Sequence, residues 1–152
     1  MNLKANNTEV ESVAKVLIIN NLNNALVLTL GEHKLHPERS FTYDLPGGIV
    51  EANESELDTV IRETAEESGI HLTSYKLFLA YTKTEYHPLQ KKSVSKFLYI
   101  ATLDGSSEVK LSWEHSSYEW IPIGKLLDSN KFRPFFKEAI KYSISCGLLH
   151  SS

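Results

Sequence analysis

Residues Pro46 to Ile70 constrain this chain more than any other stretch, because a glycine turn, a bounded amphipathic helix and a crowd of carboxylates follow one another there. From Ser55 to Ser68 there is neither proline nor glycine. Leu57, Val60, Ile61, Thr64 and Ala65 recur at i, i+3, i+4, i+7 and i+8, the spacing of one buried helix face. At about 100° per residue, Glu63, Glu66 and Glu67 fall on the opposite side, so three acids share one face. Ser55 with Asp58, or Asn53 with Glu56, can cap the start, and Gly69 supplies the stop.

That arrangement carries a cost. Glu63 is i+3 from Glu66 and i+4 from Glu67, and each such like-charged pair is unfavourable by roughly 0.2–0.5 kcal/mol on an isolated helix. Glu66 and Glu67 also occupy the last turn, where the helix dipole disfavours an anion by a further ~0.3–1 kcal/mol. Arg62, one turn before Glu66, offsets part of this. Acids crowded at the wrong helix end suit a cation, and hard divalent ions such as Mg²⁺ take carboxylate and carbonyl oxygens while sharing their shell with substrate phosphates. A solvated glutamate-rich face would explain any single Glu-Glu pair equally well, so spacing alone does not decide.

The full pattern does. Gly48, five residues, Glu54, seven residues, Arg62-Glu63, two residues, Glu66-Glu67, one residue, Gly69 and then Ile70 resembles the signature box of the Nudix hydrolases, here Gly48 to Ile70. At average composition, so many fixed positions coincide by chance with a likelihood on the order of 10⁻⁶. Thr64 departs from the pattern, since the family usually has a large aliphatic residue there; the departure touches packing more than metal binding. The resemblance implies an α/β fold, a Nudix-type α/β/α sandwich with a mixed central sheet. It implies Mg²⁺ or Mn²⁺ as cofactor, held by Glu63, Glu66 and Glu67 and by the Gly47 carbonyl. Glu63 or Glu67 would also act on the attacking water, Arg62 would pair with and orient the acids, and Glu54 would support them. Several family members add a carboxylate from the loop before a late Trp-bearing strand. Glu114, six positions before Trp120, is the candidate here, beside the alternative of a solvated side chain.

The implied reaction is hydrolysis of the pyrophosphate that joins a nucleoside diphosphate to another group. A compact chain suits a nucleoside triphosphate, canonical or oxidised, which ranks first. Dinucleoside polyphosphates and ADP-ribose or nucleotide sugars are the alternatives. Family members acting on ADP-ribose often place a proline, and those acting on diadenosine polyphosphates a tyrosine, a short way past the box. Tyr86 lies 17 positions after Gly69 and Pro88 19 after it, which tilts toward the dinucleoside class, although Tyr86 at a strand end also has an ordinary packing explanation. A Nudix-fold module that senses a nucleotide without cleaving it is the rival from another class; this chain keeps every acid such a module would be expected to lose.

Bulk properties bound the partners. A chain of 152 residues is read as one domain, 1–152, with residues 1–10 a partly ordered N-terminal segment. Net charge of -3 gives no global attraction to nucleic acid or to an anionic membrane, so a polyphosphate must be met by a local site. A single cysteine, Cys146, excludes an internal disulfide and fits a reducing, cytoplasmic compartment. No apolar run approaches membrane-spanning length. The partner expected is a small-molecule nucleotide, and a homodimer is left open.

Around the box, Ser12 to Asn20 and Ala25 to Leu30 read as central apolar strands joined by an Asn-rich hairpin turn. Gly31 to Ser40 is a charged loop in which His33, Lys34, His36 and Arg39 offer phosphate or base contacts, or are simply solvated. Phe41 to Leu45 is a short strand delivering the Pro46-Gly47-Gly48 turn. Ser74 to Tyr86 and Lys91 to Leu103 alternate as strands, the second with lysines on an edge or solvated face. Glu108 to Ser112 and Tyr118 to Pro122 read as strands and Asp104 to Ser107 as a turn. One or two helical turns follow at Ile123 to Asp128, and a closing helix spans Arg133 to Cys146 with Phe132, Phe135, Phe136, Ala139 and Ile140 on one face. The histidines lack the spacing of a zinc site.

Overall fold

A computed structural model describes residues 9–103, 109–112 and 115–151. The expected N-terminal segment up to residue 8, the turn at 104–107 and Glu114 lie outside the described residues. Among the described residues seven strands form one mixed sheet: β1 (Glu9–Ile19), β2 (Asn24–Leu30), β3 (Tyr43–Asp44), β4 (Gly47–Ile49), β5 (Leu77–His87), β6 (Lys92–Thr102) and β7 (His115–Pro122). Three α-helices among the described residues complete the fold: α1 (Glu56–Ser68), α2 (Ile123–Asp128) and α3 (Pro134–Ser145).

The nearly continuous apolar run of β1 is what a strand buried on both faces requires, and β1 lies at the centre of the order β3-β2-β1-β6-β5. It pairs in parallel with β6 along its whole length, from Glu9 opposite Lys92 to Ile19 opposite Thr102. Its other edge is shared. β2 meets it at Ile19, and β4 pairs antiparallel with Val13, Ala14 and Lys15. The glycine turn is thus stitched into mid-sheet as a short strand, a pairing that the sequence reading did not foresee.

Alternate residues of β1 feed two cores. Ala14, Val16 and Ile18 pack with Leu26, Leu28, Val60, Ile70 and Ala101 beneath α1. Leu17 and Ile19 pack with Val27, Leu98, Ile121, Phe136 and Ile140 beneath α3. Burial of each valine, leucine, isoleucine or phenylalanine among them contributes about 1.5–3 kcal/mol. Helices on both faces of a mixed sheet make the α/β sandwich that the sequence implied. Among the described residues no helix is long and apolar enough to cross a membrane.

Four local expectations are corrected. β5 does not alternate cleanly: its register slips between Leu79 and Tyr81, so Ala80 turns inward while Phe78 and Leu79 both stay exposed. β6 is not an edge; it lies between β1 and β5, and its Lys92 is ion-paired with Glu11 at 2.8 Å. β7 begins at His115, earlier than expected, because it follows β2 from Pro122 back to Leu30. Residues 109–112 form no strand; they run across the end of α1, where Lys110 N–H donates to the Ser68 carbonyl and Ser112 N–H to that of Glu67.

Candidate active site

The helix α1 is bounded as its residues demand. The Ser55 hydroxyl accepts from Asp58 N–H and the Asp58 carboxylate accepts from Ser55 N–H, a reciprocal cap that selects this start over the Asn53 alternative. Gly69 ends the helix with φ of 75°, a left-handed conformation that glycine adopts without penalty. The buried arc holds Thr59, Val60, Thr64, Glu67 and Ser68. Its centre lies roughly 90° around the helix from Ile61, at about 100° per residue. Glu67 therefore sits inside the fold, only 5% exposed, instead of on a solvated acid face.

A specific partner holds it there. Glu67 Oε1 accepts a hydrogen bond of 2.9 Å from Gly47 N–H. Gly47 has φ of 137°, and a Cβ added to it would run into the carbonyl oxygen of Ala14, so only glycine fits this stitch between β4 and β1. Gly48 faces the other acid: a Cβ there would lie 2.8 Å from the Glu63 carboxyl carbon. The two glycines form a shelf on which two carboxylates rest.

Arg62 gathers the remaining acids. Its guanidinium donates from Nε to Glu54 at 2.7 Å and from a terminal nitrogen at 2.9 Å, a two-pronged contact. Its other terminal nitrogen reaches Glu63 at 3.1 Å and Glu66 at 3.3 Å. The hydrogen bonds from Arg62 and then from Thr59 pull the Glu54 carboxyl down to about 2. Glu63 shifts the other way, raised by burial despite Arg62. Glu67 is raised to about 7, with burial the largest cause and the Asp44 charge adding to it, while Lys15 and the Gly47 hydrogen bond oppose.

Three further residues close around Glu67. The Lys15 ammonium lies 3.1 Å from Asp44 and donates to the Gly47 carbonyl at 3.3 Å. Burial pushes the Asp44 carboxyl upward, but Lys15 first, then His115 and Arg133, hold it well below the usual carboxylate range. The His115 ring is only 1% exposed, with Nε2 3.6 Å from Asp44 and 3.5 Å from Glu67, and among the described residues neither ring nitrogen makes a hydrogen bond. One ligand atom from each of Asp44, Glu67 and His115 lies within 4.8 Å of the others. The sequence reading missed Lys15, Asp44 and His115. Lys15, the one charge inside the run Val-Ala-Lys-Val-Leu-Ile-Ile, was the available signal; Asp44 and His115 carried none.

Of the residues read from sequence, Gly47, Gly48, Glu54, Arg62, Glu63, Glu66 and Glu67 are brought together, and Gly69 ends their helix. Arg39 is exposed on a short 3₁₀ turn, and Tyr86 is 55% exposed on β5. Among the described residues neither contacts the acids. The donor set of Glu63, Glu66, Glu67 and the Gly47 carbonyl is all oxygen, as Mg²⁺ or Mn²⁺ prefers. Two of its carboxyls are already raised by burial, so a divalent cation would relieve an existing electrostatic cost.

The family model for the NUDIX domain matches residues 11–142. The bis(5'-nucleosyl)-tetraphosphatase (asymmetrical) of Sus scrofa is 32% identical over 89 residues, which are 58% of this chain and 60% of that protein. Its Caenorhabditis elegans counterpart is 31% identical over 75 residues, 49% of this chain and 54% of that protein. The chain thus spans at most 60% of the length of these curated relatives. Among solved structures, the MutT protein from Methanosarcina mazei Go1 superposes with a TM-score of 0.75 at 25% identity, covering 92% of this chain and 97% of that one. A C. elegans Ap4A hydrolase binary complex gives 0.64 at 23% identity over 90% and 97%, a likeness of fold.

Proposed function

This chain belongs to the NUDIX domain family, and from that premise we propose that it is a metal-dependent hydrolase of a phosphoanhydride linking a nucleoside diphosphate to another group. The observation that carries the proposal is the clasp of Glu63 and Glu67 on the Gly47-Gly48 shelf. Glu63, Glu66, Glu67 and the Gly47 carbonyl would hold Mg²⁺ or Mn²⁺. Such an ion supplies charge neutralisation on the phosphates and a more acidic water.

The chain's own residues do the rest. Arg62 fixes Glu54, Glu63 and Glu66 through a single guanidinium, so their spacing is set before substrate arrives. Gly47 N–H keeps Glu67 Oε1 occupied and leaves Oε2 to take a proton. A carboxyl titrating near 7 is suited to accept a proton at neutral pH. Lys15 brings a positive charge to the same shelf. Glu114, outside the described residues, stays a candidate for a further carboxylate.

For the substrate class we put dinucleoside polyphosphates ahead of the nucleoside triphosphate favoured on sequence alone, supported by the similarity to the pig tetraphosphatase. The test is a nucleotide panel of canonical and oxidised triphosphates, diadenosine polyphosphates, ADP-ribose and nucleotide sugars, run with and without Mg²⁺ and resolved by chromatography. Asymmetric cleavage of a diadenosine polyphosphate that stops on chelation supports the reading. Binding without turnover would point to a nucleotide sensor instead.

A further inference from the structure

On the α3 side of the sheet, next to the glycine shelf, β1, β6 and the start of α3 enclose a recess lined by Val13, Lys15, Lys96, Arg133, Phe135 and Phe136. Its volume is about 40 Å³. That is far below the several hundred Å³ of a cleft that takes a whole nucleoside-sized ligand. Three of the six lining residues are cations, and all three are half-buried. Lys96 Nζ sits 5.3 Å from the centre of the Phe135 ring, and neither Lys96 nor Arg133 forms an ion pair among the described residues. Among the described residues the nearby carboxylates lie at the Lys15 end: Asp44 is engaged by Lys15 and felt by Arg133, and Glu63 and Glu67 are also within reach of the Lys15 charge. At its Lys96 and Arg133 end the recess therefore carries positive charge without an ion-pair partner among the described residues, in a partly desolvated place where an anion would be attracted more strongly than at an open surface.

It also connects to the acids. Lys15 lines the recess and donates to the carbonyl of Gly47, the same residue whose N–H holds Glu67. We propose that the recess of Lys15, Lys96 and Arg133 is an anion subsite that takes one phosphate beyond the scissile anhydride, so that the chain selects substrates by the length of their phosphate chain. The inference rests on the hydrolase reading above and names what that site would prefer: polyphosphates with three or more phosphates over simple diphosphates. Lys96 and Arg133 are its specificity-determining residues. The phenylalanines provide a dry floor that lowers the local dielectric and gives Lys96 an aromatic face to rest on.

The test uses inorganic probes on the full chain. Binding of tripolyphosphate, pyrophosphate and orthophosphate is measured by calorimetry in the presence of chelator, for the wild type, Lys96→Gln, Arg133→Gln and the double variant, with Lys96→Arg as the charge-keeping control. Tripolyphosphate is expected to bind about tenfold more tightly than pyrophosphate, the worth of one charge-assisted contact. Each Gln substitution lowers that ratio, the double variant abolishes it, and Lys96→Arg keeps it. Arg133 also sits at the start of α3, so a thermal melt accompanies each variant, and Lys96→Gln alone carries the test if Arg133→Gln does not fold. Equal binding of the two anions by the wild type, or a preference that survives the double substitution, overturns the subsite. A chain with the preference that cleaves no nucleotide keeps the subsite and loses the hydrolase reading. One that cleaves diadenosine polyphosphates with kcat/KM indifferent to phosphate number and to both side chains does the reverse.

Discussion

The carboxylate of Glu67 accepts a hydrogen bond of 2.9 Å from the backbone N–H of Gly47, twenty positions earlier in the chain. This contact ties the last turn of α1 to the strand that β1 holds at mid-sheet, and so couples the acid cluster to the rigid centre of the fold. Glu67→Gln keeps an acceptor for that N–H but cannot take a proton. The fold should survive, and nucleotide turnover should drop by about 10²–10⁴, the usual worth of a general base. Turnover within threefold of wild type would remove Glu67 from the chemistry.

Stability should depend on pH through the same residue. Glu67 titrates near 7 in the folded chain against 4.5 when exposed. A carboxyl raised on folding contributes stability that is complete below the unfolded value and is lost as pH rises through the folded one. Metal-free protein should therefore lose up to about 3 kcal/mol between pH 4.5 and 7.5 relative to Glu67→Gln. Millimolar Mg²⁺ should restore it, since an ion bound only by the folded state stabilises by mass action. Melts at several pH values, with and without metal, read both effects.

Arg62 touches Glu54, Glu63 and Glu66, and its Glu54 contact is two-pronged. Arg62→Ala should lower metal affinity by about 10–100-fold, as loss of residues that orient metal ligands does. Arg62→Lys should recover little of this, because an ammonium cannot make the parallel pair of hydrogen bonds. Titration with Mn²⁺ followed by paramagnetic resonance compares the three proteins directly.

Gly48 and Gly47 should fail differently. Gly48 lacks a left-handed φ, and the three atoms nearest its Cβ would all belong to the flexible Glu63 side chain. Gly48→Ala should fold and bind metal weakly. Gly47→Ala would force a Cβ against the Ala14 backbone at φ of 137° and should not yield folded protein. Circular dichroism and Mn²⁺ titration separate the outcomes.

Thr64 is fully buried, and its hydroxyl makes no hydrogen bond among the described residues. Thr64→Val keeps the shape and removes the stranded group, so it should stabilise by about 1–3 kcal/mol and raise Tm by several degrees. An unchanged or lower Tm would mean the hydroxyl is satisfied in solution.

The box and its helix were legible in the sequence because their signals are local: a proline-glycine turn, a cap, an apolar period and the acid spacing lie within Pro46 to Ile70. What period alone misplaced was Glu67. A helix read by itself puts that acid with its neighbours on the solvent side, and only the Gly47 partner explains its burial. Lys15, Asp44 and His115 come from β1, β3 and β7, which meet only once the sheet has formed. The parallel pairing of β1 with β6 joins residues more than eighty positions apart and leaves no mark in either strand's pattern. The slip at Ala80 likewise depends on a neighbour strand, since β5 alone reads as regular alternation.

The most direct test is a crystal grown with Mn²⁺ and a non-hydrolysable diadenosine polyphosphate, with anomalous difference maps calculated at the manganese edge. The account predicts a peak bounded by the carboxylates of Glu63 and Glu67 and the Gly47 carbonyl, with Arg62 still on Glu54. Bound nucleotide with no anomalous peak at that shelf, or a peak held by other residues, would contradict it.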